Sequence, residues 1–169
     1  MQGLGFHGVP DLVRKAFRMN LNVPKIIDLK KNEFFIAQYV DLRNRYVELL
    51  LTNLISVPET KEWLACEDVE VRCLIQDNVL MGAAILYLNK KGEVAFFVKE
   101  PKKGIGTKLL KIIEEVAKGR KLNSLWAWVM SSNLAAQKTF IKNGYLMEGE
   151  TERRYRNKIL QGFVFRKKL

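Results

Sequence analysis

The stretch Glu93-Val94-Ala95-Phe96-Phe97-Val98-Lys99-Glu100-Pro101-Lys102-Lys103-Gly104-Ile105-Gly106-Thr107-Lys108-Leu109-Leu110 decides the fold. It begins as a short apolar run of strand formers, breaks at Pro101, and then changes period. Beyond the break, Leu109, Leu110, Ile113, Val116 and Ala117 share one helical face. Lys108, Lys111, Glu114, Glu115 and Lys118 fall on the other, with Glu114 and Lys118 spaced as an i,i+4 pair. Gly119 ends the helix. A strand that turns through Gly104-Ile105-Gly106 into a helix has a definite chemistry. Glycines let backbone approach a ligand closely, and the helix start offers unpaired N–H groups and the positive end of the dipole. Lys102, Lys103 and Lys108 add positive charge. By itself the segment reads either as an anion cradle or as a tight strand-to-helix turn. It is neither a P-loop nor a dinucleotide fingerprint, because it lacks both Gly-Lys-Ser/Thr and a third glycine at the required spacing.

Working outward, Val69–Ile75 alternates, Asp77-Asn78 is a hairpin turn, and Val79–Leu88 returns. Lys90-Lys91-Gly92 turns the chain into the Glu93–Val98 strand. Upstream, Phe34–Val40 reads as a strand, Asp41 as the cap of a helix running to about Ile55, and Glu59–Leu64 as a short helix opened by Pro58. Downstream, Leu125–Met130 is continuously apolar and predicts a strand buried on both faces. A helix spans about Asn133–Asn143 and stops at Gly144. Two strands, about Tyr145–Arg156 and Ile159–Arg166, close the chain around a turn near Asn157. The order β-α-α-β-β-β-α-β-α-β-β predicts a mixed α/β sheet. Residues 1–30 read as an N-terminal extension, with a short basic amphipathic helix from Pro10, and residues 31–169 as one domain.

The 169 residues suffice for one substantial core. No apolar run is long enough to span a bilayer, and the start lacks a secretory pattern, so the expected location is cytoplasmic. Cys66 and Cys73 have no metal-ligand spacing and read as reduced thiols. With His7 as the single histidine, a His-based triad or a His-rich metal site is not expected. The net charge of +11 implies a field that attracts anions. Nucleic acid, an anionic membrane surface and a phosphorylated small molecule all satisfy charge alone.

About thirty residues after the cradle stands Asn133-Leu134-Ala135-Ala136-Gln137-Lys138-Thr139-Phe140-Ile141-Lys142-Asn143-Gly144-Tyr145. With the Gly-x-Gly loop, this segment resembles the GNAT superfamily of acyl-CoA N-acyltransferases. The likeness rests on Asn133, Ala136, Phe140, Gly144 and Tyr145, and on element order from Phe34 to the C-terminus. It implies a mixed, mostly antiparallel central sheet flanked by helices. It also implies acetyl-CoA as donor, no metal, and direct transfer of acetyl to a primary amine. The implied cofactor residues are Lys102, Lys103, Gly104, Ile105, Gly106 and Thr107 at the pyrophosphate, and Asn133 and Phe140 beside the pantetheine. The backbone of Phe97, Val98 and Lys99 is expected to hold the pantetheine and polarise the thioester carbonyl. Two positions depart from the family pattern. Pro101 replaces the usual Arg or Gln, and Phe140 replaces the frequent Tyr that protonates the leaving thiolate.

An amine acceptor must lose a proton, since a lysine-like ammonium has a pKa of about 10. The resemblance points to Glu93 as the base; Glu148 and Glu150 are alternatives, and a solvated ion pair with Lys90 and Lys91 is the structural reading of Glu93. Asp41-Leu42-Arg43-Asn44 and Glu59–Leu64 resemble the branch that acetylates ribosomal proteins and nucleotide-linked amino sugars. Arg43, Asn44 and Tyr155 are the substrate candidates. The expected partner is a small-molecule amine, with a phosphorylated one favoured by charge; a second copy of the chain is a further candidate partner. Membrane contact is not expected. A catalytically weak acyl-CoA binder, a protein N-terminal or lysine acetyltransferase, and a basic nucleic-acid module are the competing readings. Lys102-Lys103 and Arg153-Arg154-Tyr155-Arg156 motivate the last.

Overall fold

A computed structural model describes residues 23–169. Seven strands form one sheet in the order β1-β2-β3-β4-β5-β7-β6. They are β1 (Lys25–Asp28), β2 (Val69–Gln76), β3 (Val79–Tyr87), β4 (Glu93–Val98), β5 (Ser124–Met130), β6 (Leu146–Tyr155) and β7 (Lys158–Lys168). Only β4 and β5 run parallel; every other neighbouring pair is antiparallel. The helices are α1 (Ile36–Asn44), α2 (Val47–Leu50), α3 (Val57–Leu64), α4 (Ile105–Gly119) and α5 (Leu134–Lys142).

Strand alternation sends side chains to two cores. Leu74, Leu86, Val94, Leu125, Ala127 and Phe165 face α4, which contributes Leu109, Leu110 and Ile113. Val69, Val71, Cys73, Ile85 and Phe97 face α1 and α3, which contribute Ile36, Tyr39, Leu42 and Leu64. The β2–β3 turn is as expected: Asp77 and Asn78 both have positive φ, which matches the twist of a two-residue hairpin. Ser56 and Glu59 form a reciprocal capping box at the start of α3.

Five expectations need correction. Residues 34–40 are not a strand. They form a 3-10 turn, Glu33–Phe35, and then α1, because Ile36, Tyr39 and Leu42 recur at helical spacing and are the residues buried. The helix also ends at Asn44 rather than near Ile55. Asp41 lies inside it, paired with Arg45, and Leu51 in the left-handed region terminates α2. The first strand is instead β1, inside the 1–30 segment, where Lys25–Asp28 pairs with Ile75–Arg72. The helix expected from Pro10 lies outside the described residues. Glu114 does not face solvent: it is buried and meets Lys167 at 2.8 Å, so Lys118 pairs with Glu115. Finally, β5 is not buried on both faces. Leu125, Ala127 and Val129 are buried, whereas Trp126 and Trp128 are half-buried on the opposite face. Among the described residues no helix is long and apolar enough to cross a membrane.

Candidate active site

β4 and β5 are in register at a single pair, Glu93 with Trp126, where the Trp126 N–H donates to the Gly92 carbonyl at 3.1 Å. Beyond that point the strands part. The Lys99 N–H donates to Met81 of β3 at 2.7 Å. Antiparallel ladders alternate, so the odd residues of β4 bond β3, and Val94, Phe96 and Val98 turn their peptide groups toward the gap. The Tyr46 hydroxyl, from the start of α2, donates to the Val98 carbonyl at 2.5 Å. The Phe96 peptide and the Val98 N–H have no strand partner on that side. A row of free peptide groups lining a gap is a template for an extended, amide-bearing ligand.

The gap opens into a cavity of about 1040 Å³. At its wide end lies the turn into α4. Gly104 has φ +70, a conformation that favours glycine, and a Cβ there would meet nothing within 4 Å. Gly106 is needed for a different reason: a Cβ there would lie 2.9 Å from Phe96 Cε2 and 3.3 Å from Thr139 Cγ2. No side chain caps α4, so its first N–H groups are left for a ligand. Lys102 and Lys103 line the same end, joined by Lys138 and Lys142 of α5.

At the narrow end, Glu93 is 7% exposed. Its Oε1 accepts from Arg153 Nη2 at 2.8 Å, and its Oε2 lies 3.5 Å from Lys90 Nζ. The Lys90 contact expected of a strand-end carboxylate is present, but Glu93 itself is buried and its shorter partner is Arg153. The Arg153 guanidinium stands 5.1 Å from the Trp128 ring centre and 5.5 Å from that of Trp126, a double cation–π contact. Trp128 is fixed in turn by its indole N–H, which donates to Thr151 Oγ1 at 3.0 Å, and by lying against Gly162. Tyr87 borders the same end, with its phenol pushed up to about 12 by burial.

Most residues chosen from the sequence line this cavity: Arg43, Glu93, Phe97, Val98, Asn133, Phe140, and the run from Lys102 to Thr107. Three do not. Lys99 has its N–H committed to Met81 and its side chain outside the cavity, so on β4 the available peptide groups are those of Phe96 and Val98. Asn44 is spent on the backbone of Ile55, donating at 2.9 Å and accepting at 3.1 Å. Tyr155 is buried and donates to the Thr52 carbonyl at 2.6 Å. Asn133 lines the cavity, but its side chain caps α5 at Ala136 N, 3.2 Å away. Phe140 is 3% exposed and packs on Phe96, Tyr145 and Phe165. Trp126, Trp128, Arg153, Tyr46, Lys138 and Lys142 are site residues that sequence reasoning missed. Only Trp126 and Trp128 of β5 carried a local signal, a period-2 pair of large amphipathic rings.

A family model described as the acetyltransferase (GNAT) family matches residues 33–145. Among the solved structures that share the fold are three acetyltransferases. A ribosomal-protein-alanine N-acetyltransferase from Brucella melitensis superposes with TM-score 0.75 at 18% identity, covering 87% of this chain and 99% of its own. An N-acetyltransferase from Staphylococcus aureus Mu50 gives TM-score 0.77 at 15% identity, over 87% and 99%. A phosphinothricin acetyltransferase from Sinorhizobium meliloti, in complex with acetyl-CoA, gives 0.74 at 12%, over 86% and 88%. No curated protein matches the chain.

Proposed function

The chain belongs to the acetyltransferase (GNAT) family, and we propose that it transfers acetyl from acetyl-CoA directly to a primary amine that carries an anionic group. The observation that carries this reading is the path through the site. It runs from an uncapped helix N-terminus, along the free edge of β4, to a buried carboxylate where β4 and β5 part.

Acetyl-CoA supplies an activated thioester, a pantetheine arm bearing amides, and phosphates. The residues present fit each part. The N-terminal amides of α4, with Lys102, Lys103, Lys138 and Lys142, bind phosphate oxygens. The open space at Gly104 leaves room for them. The Phe96 and Val98 peptides pair with the arm as a further strand would, and an N–H of this edge donates to the thioester carbonyl oxygen. Glu93 accepts the proton that the acceptor ammonium gives up to become the attacking amine. Phe140 has no proton to donate, so sulfur departs as the thiolate, a tolerable leaving group at a pKa of about 8.5 by analogy with cysteine. On the acceptor side Arg43, Lys90, Lys91, Arg153 and Arg154 line the cavity around Glu93. That excess of cations favours a phosphate- or carboxylate-bearing amine, a class that includes nucleotide-linked amino sugars.

Glu93→Gln tests the assignment. The amide keeps the shape but takes no proton. CoA release with a productive amine should fall about 10²–10⁴-fold, while acetyl-CoA binding stays within about twofold. Unchanged turnover in a folded variant sinks Glu93 as the base.

A further inference from the structure

In the free protein, cations occupy the places on Glu93 that an acceptor ammonium must take. Arg153 holds Oε1 and Lys90 stands at Oε2. Arg153 itself is under-committed. A guanidinium has five N–H donors. Among the described residues the one hydrogen bond Arg153 makes is to Glu93, and its side chain is 33% exposed. Its plane is kept in place by the rings of Trp126 and Trp128 rather than by further carboxylates. Arg153 lines the cavity, and among the described residues its remaining donors have no side-chain hydrogen-bond partner.

We infer that Arg153 on its indole shelf is the anion subsite of the acceptor, and that a zwitterionic amine enters by exchanging the Glu93–Arg153 ion pair for two of its own. The inference rests on the acyl-transfer reading above. The acceptor's carboxylate or phosphate takes the Arg153 fork, which suits a planar or tetrahedral oxyanion bidentately. Its ammonium takes the Glu93 oxygen that Arg153 gives up. One ammonium proton then passes to Glu93, the neutral nitrogen forms its bond to the thioester carbon, the carbon–sulfur bond breaks with its electron pair leaving on sulfur, and the nitrogen's second proton goes to that thiolate or to solvent. Both charges of the resident pair stay matched throughout, so neither is stranded in a buried place. An amine without an anion has nothing to offer Arg153, and Glu93 remains engaged. Selection of the acceptor and release of the base are thus one event.

Trp126 and Trp128 flank Arg153, whereas Trp63 packs on Tyr39 in the other core, so indole fluorescence reports this exchange. Matched probes are titrated into the CoA-saturated protein: O-phosphoethanolamine against ethanolamine, β-alanine against propylamine, and 4-aminobutyrate against butylamine. At least one anion-bearing member should give a saturable change that its anion-free partner does not. Arg153→Gln should weaken that binding at least tenfold, and Arg153→Lys should fall between, with melting temperatures showing both variants folded. Saturation by no anion-bearing member, equal saturation by the anion-free partner, or binding indifferent to both substitutions overturns the inference. Thiol release with the same amines separates the two claims. Anion-free amines turned over as fast as anion-bearing ones leave acyl transfer standing and remove the Arg153 subsite. Selective binding of anionic amines with no thiol release from any of them does the reverse.

Discussion

Gly162→Ala should disturb the acceptor floor from the far side of Trp128. A Cβ at this position would lie 2.3 Å from Trp128 Cζ2, 2.5 Å from Cε2 and 2.6 Å from the Val129 carbonyl oxygen. Carbons pack at about 3.5–4.0 Å, so the indole must retreat by roughly 1.2 Å or more. The Val129 contact is backbone and cannot swing aside. Overpacking of this kind costs about 1–3 kcal/mol. Losing the 3.0 Å bond from the Trp128 indole to Thr151 adds about 0.5–1.5 kcal/mol. The sum, about 1.5–4.5 kcal/mol, lowers the melting temperature by roughly 3–18 °C in a chain of this size. Activity should suffer beyond stability. Arg153 rides on the displaced ring and holds Glu93, and a 1 Å misplacement can cost about 10²-fold in rate. Gly149→Ala is the control, because a Cβ there meets nothing within 4 Å on the neighbouring strand β6. Thermal melts and thiol release are measured for both variants. The reasoning is refuted if Gly162→Ala melts and turns over like Gly149→Ala.

Two further substitutions probe the frame of the site. For Glu70, burial raises the carboxyl pKa, but hydrogen bonds and charge from Arg120 and Arg72 outweigh it and hold the group below its usual value. A depressed folded pKa gives stability that is full above the unfolded value of about 4.3 and is lost as pH falls through the folded one. Glu70→Gln should therefore cost about 1.5–3 kcal/mol at pH 7, with the gap to wild type closing below pH ~4 in urea melts. A gap independent of pH would contradict this assignment. Tyr46→Phe removes the donor to the Val98 carbonyl and should lower stability by about 0.5–1.5 kcal/mol, which chemical denaturation resolves.

Local pattern carried the centre of the fold. Alternation in β2, the two-residue turn at Asp77-Asn78 and the amphipathic face of α4 were legible because each is set by neighbours in sequence. Phe34–Val40 misled because two adjacent phenylalanines and a β-branched pair imitate a strand, while the deciding contacts of Ile36, Tyr39 and Leu42 lie across the sheet. β1 was invisible for a related reason: four residues that begin with a lysine and end with an aspartate become a strand only when β2 offers its edge. In the site, Glu93 and the glycine turn were found through motif and resemblance. The register that hands the gap to Phe96 and Val98, and denies it to Lys99, depends on which β4 residues bond β3. Arg153 read only as part of a basic run because its partners Glu93, Trp126 and Trp128 arrive from β4 and β5, neither of which neighbours β6 in the sheet.

The most direct test of the cofactor path is the melting temperature with acetyl-CoA, against a nucleotide control, in wild type and Gly104→Glu. The substitution sets a carboxylate in the anion cradle at a φ of +70. A ligand at about 100 times its Kd adds roughly 2.7 kcal/mol, or about 5–11 °C here. Acetyl-CoA should raise wild type by that amount and leave Gly104→Glu near its own ligand-free value. No rise at saturating acetyl-CoA, or an equal rise in the variant, contradicts the account.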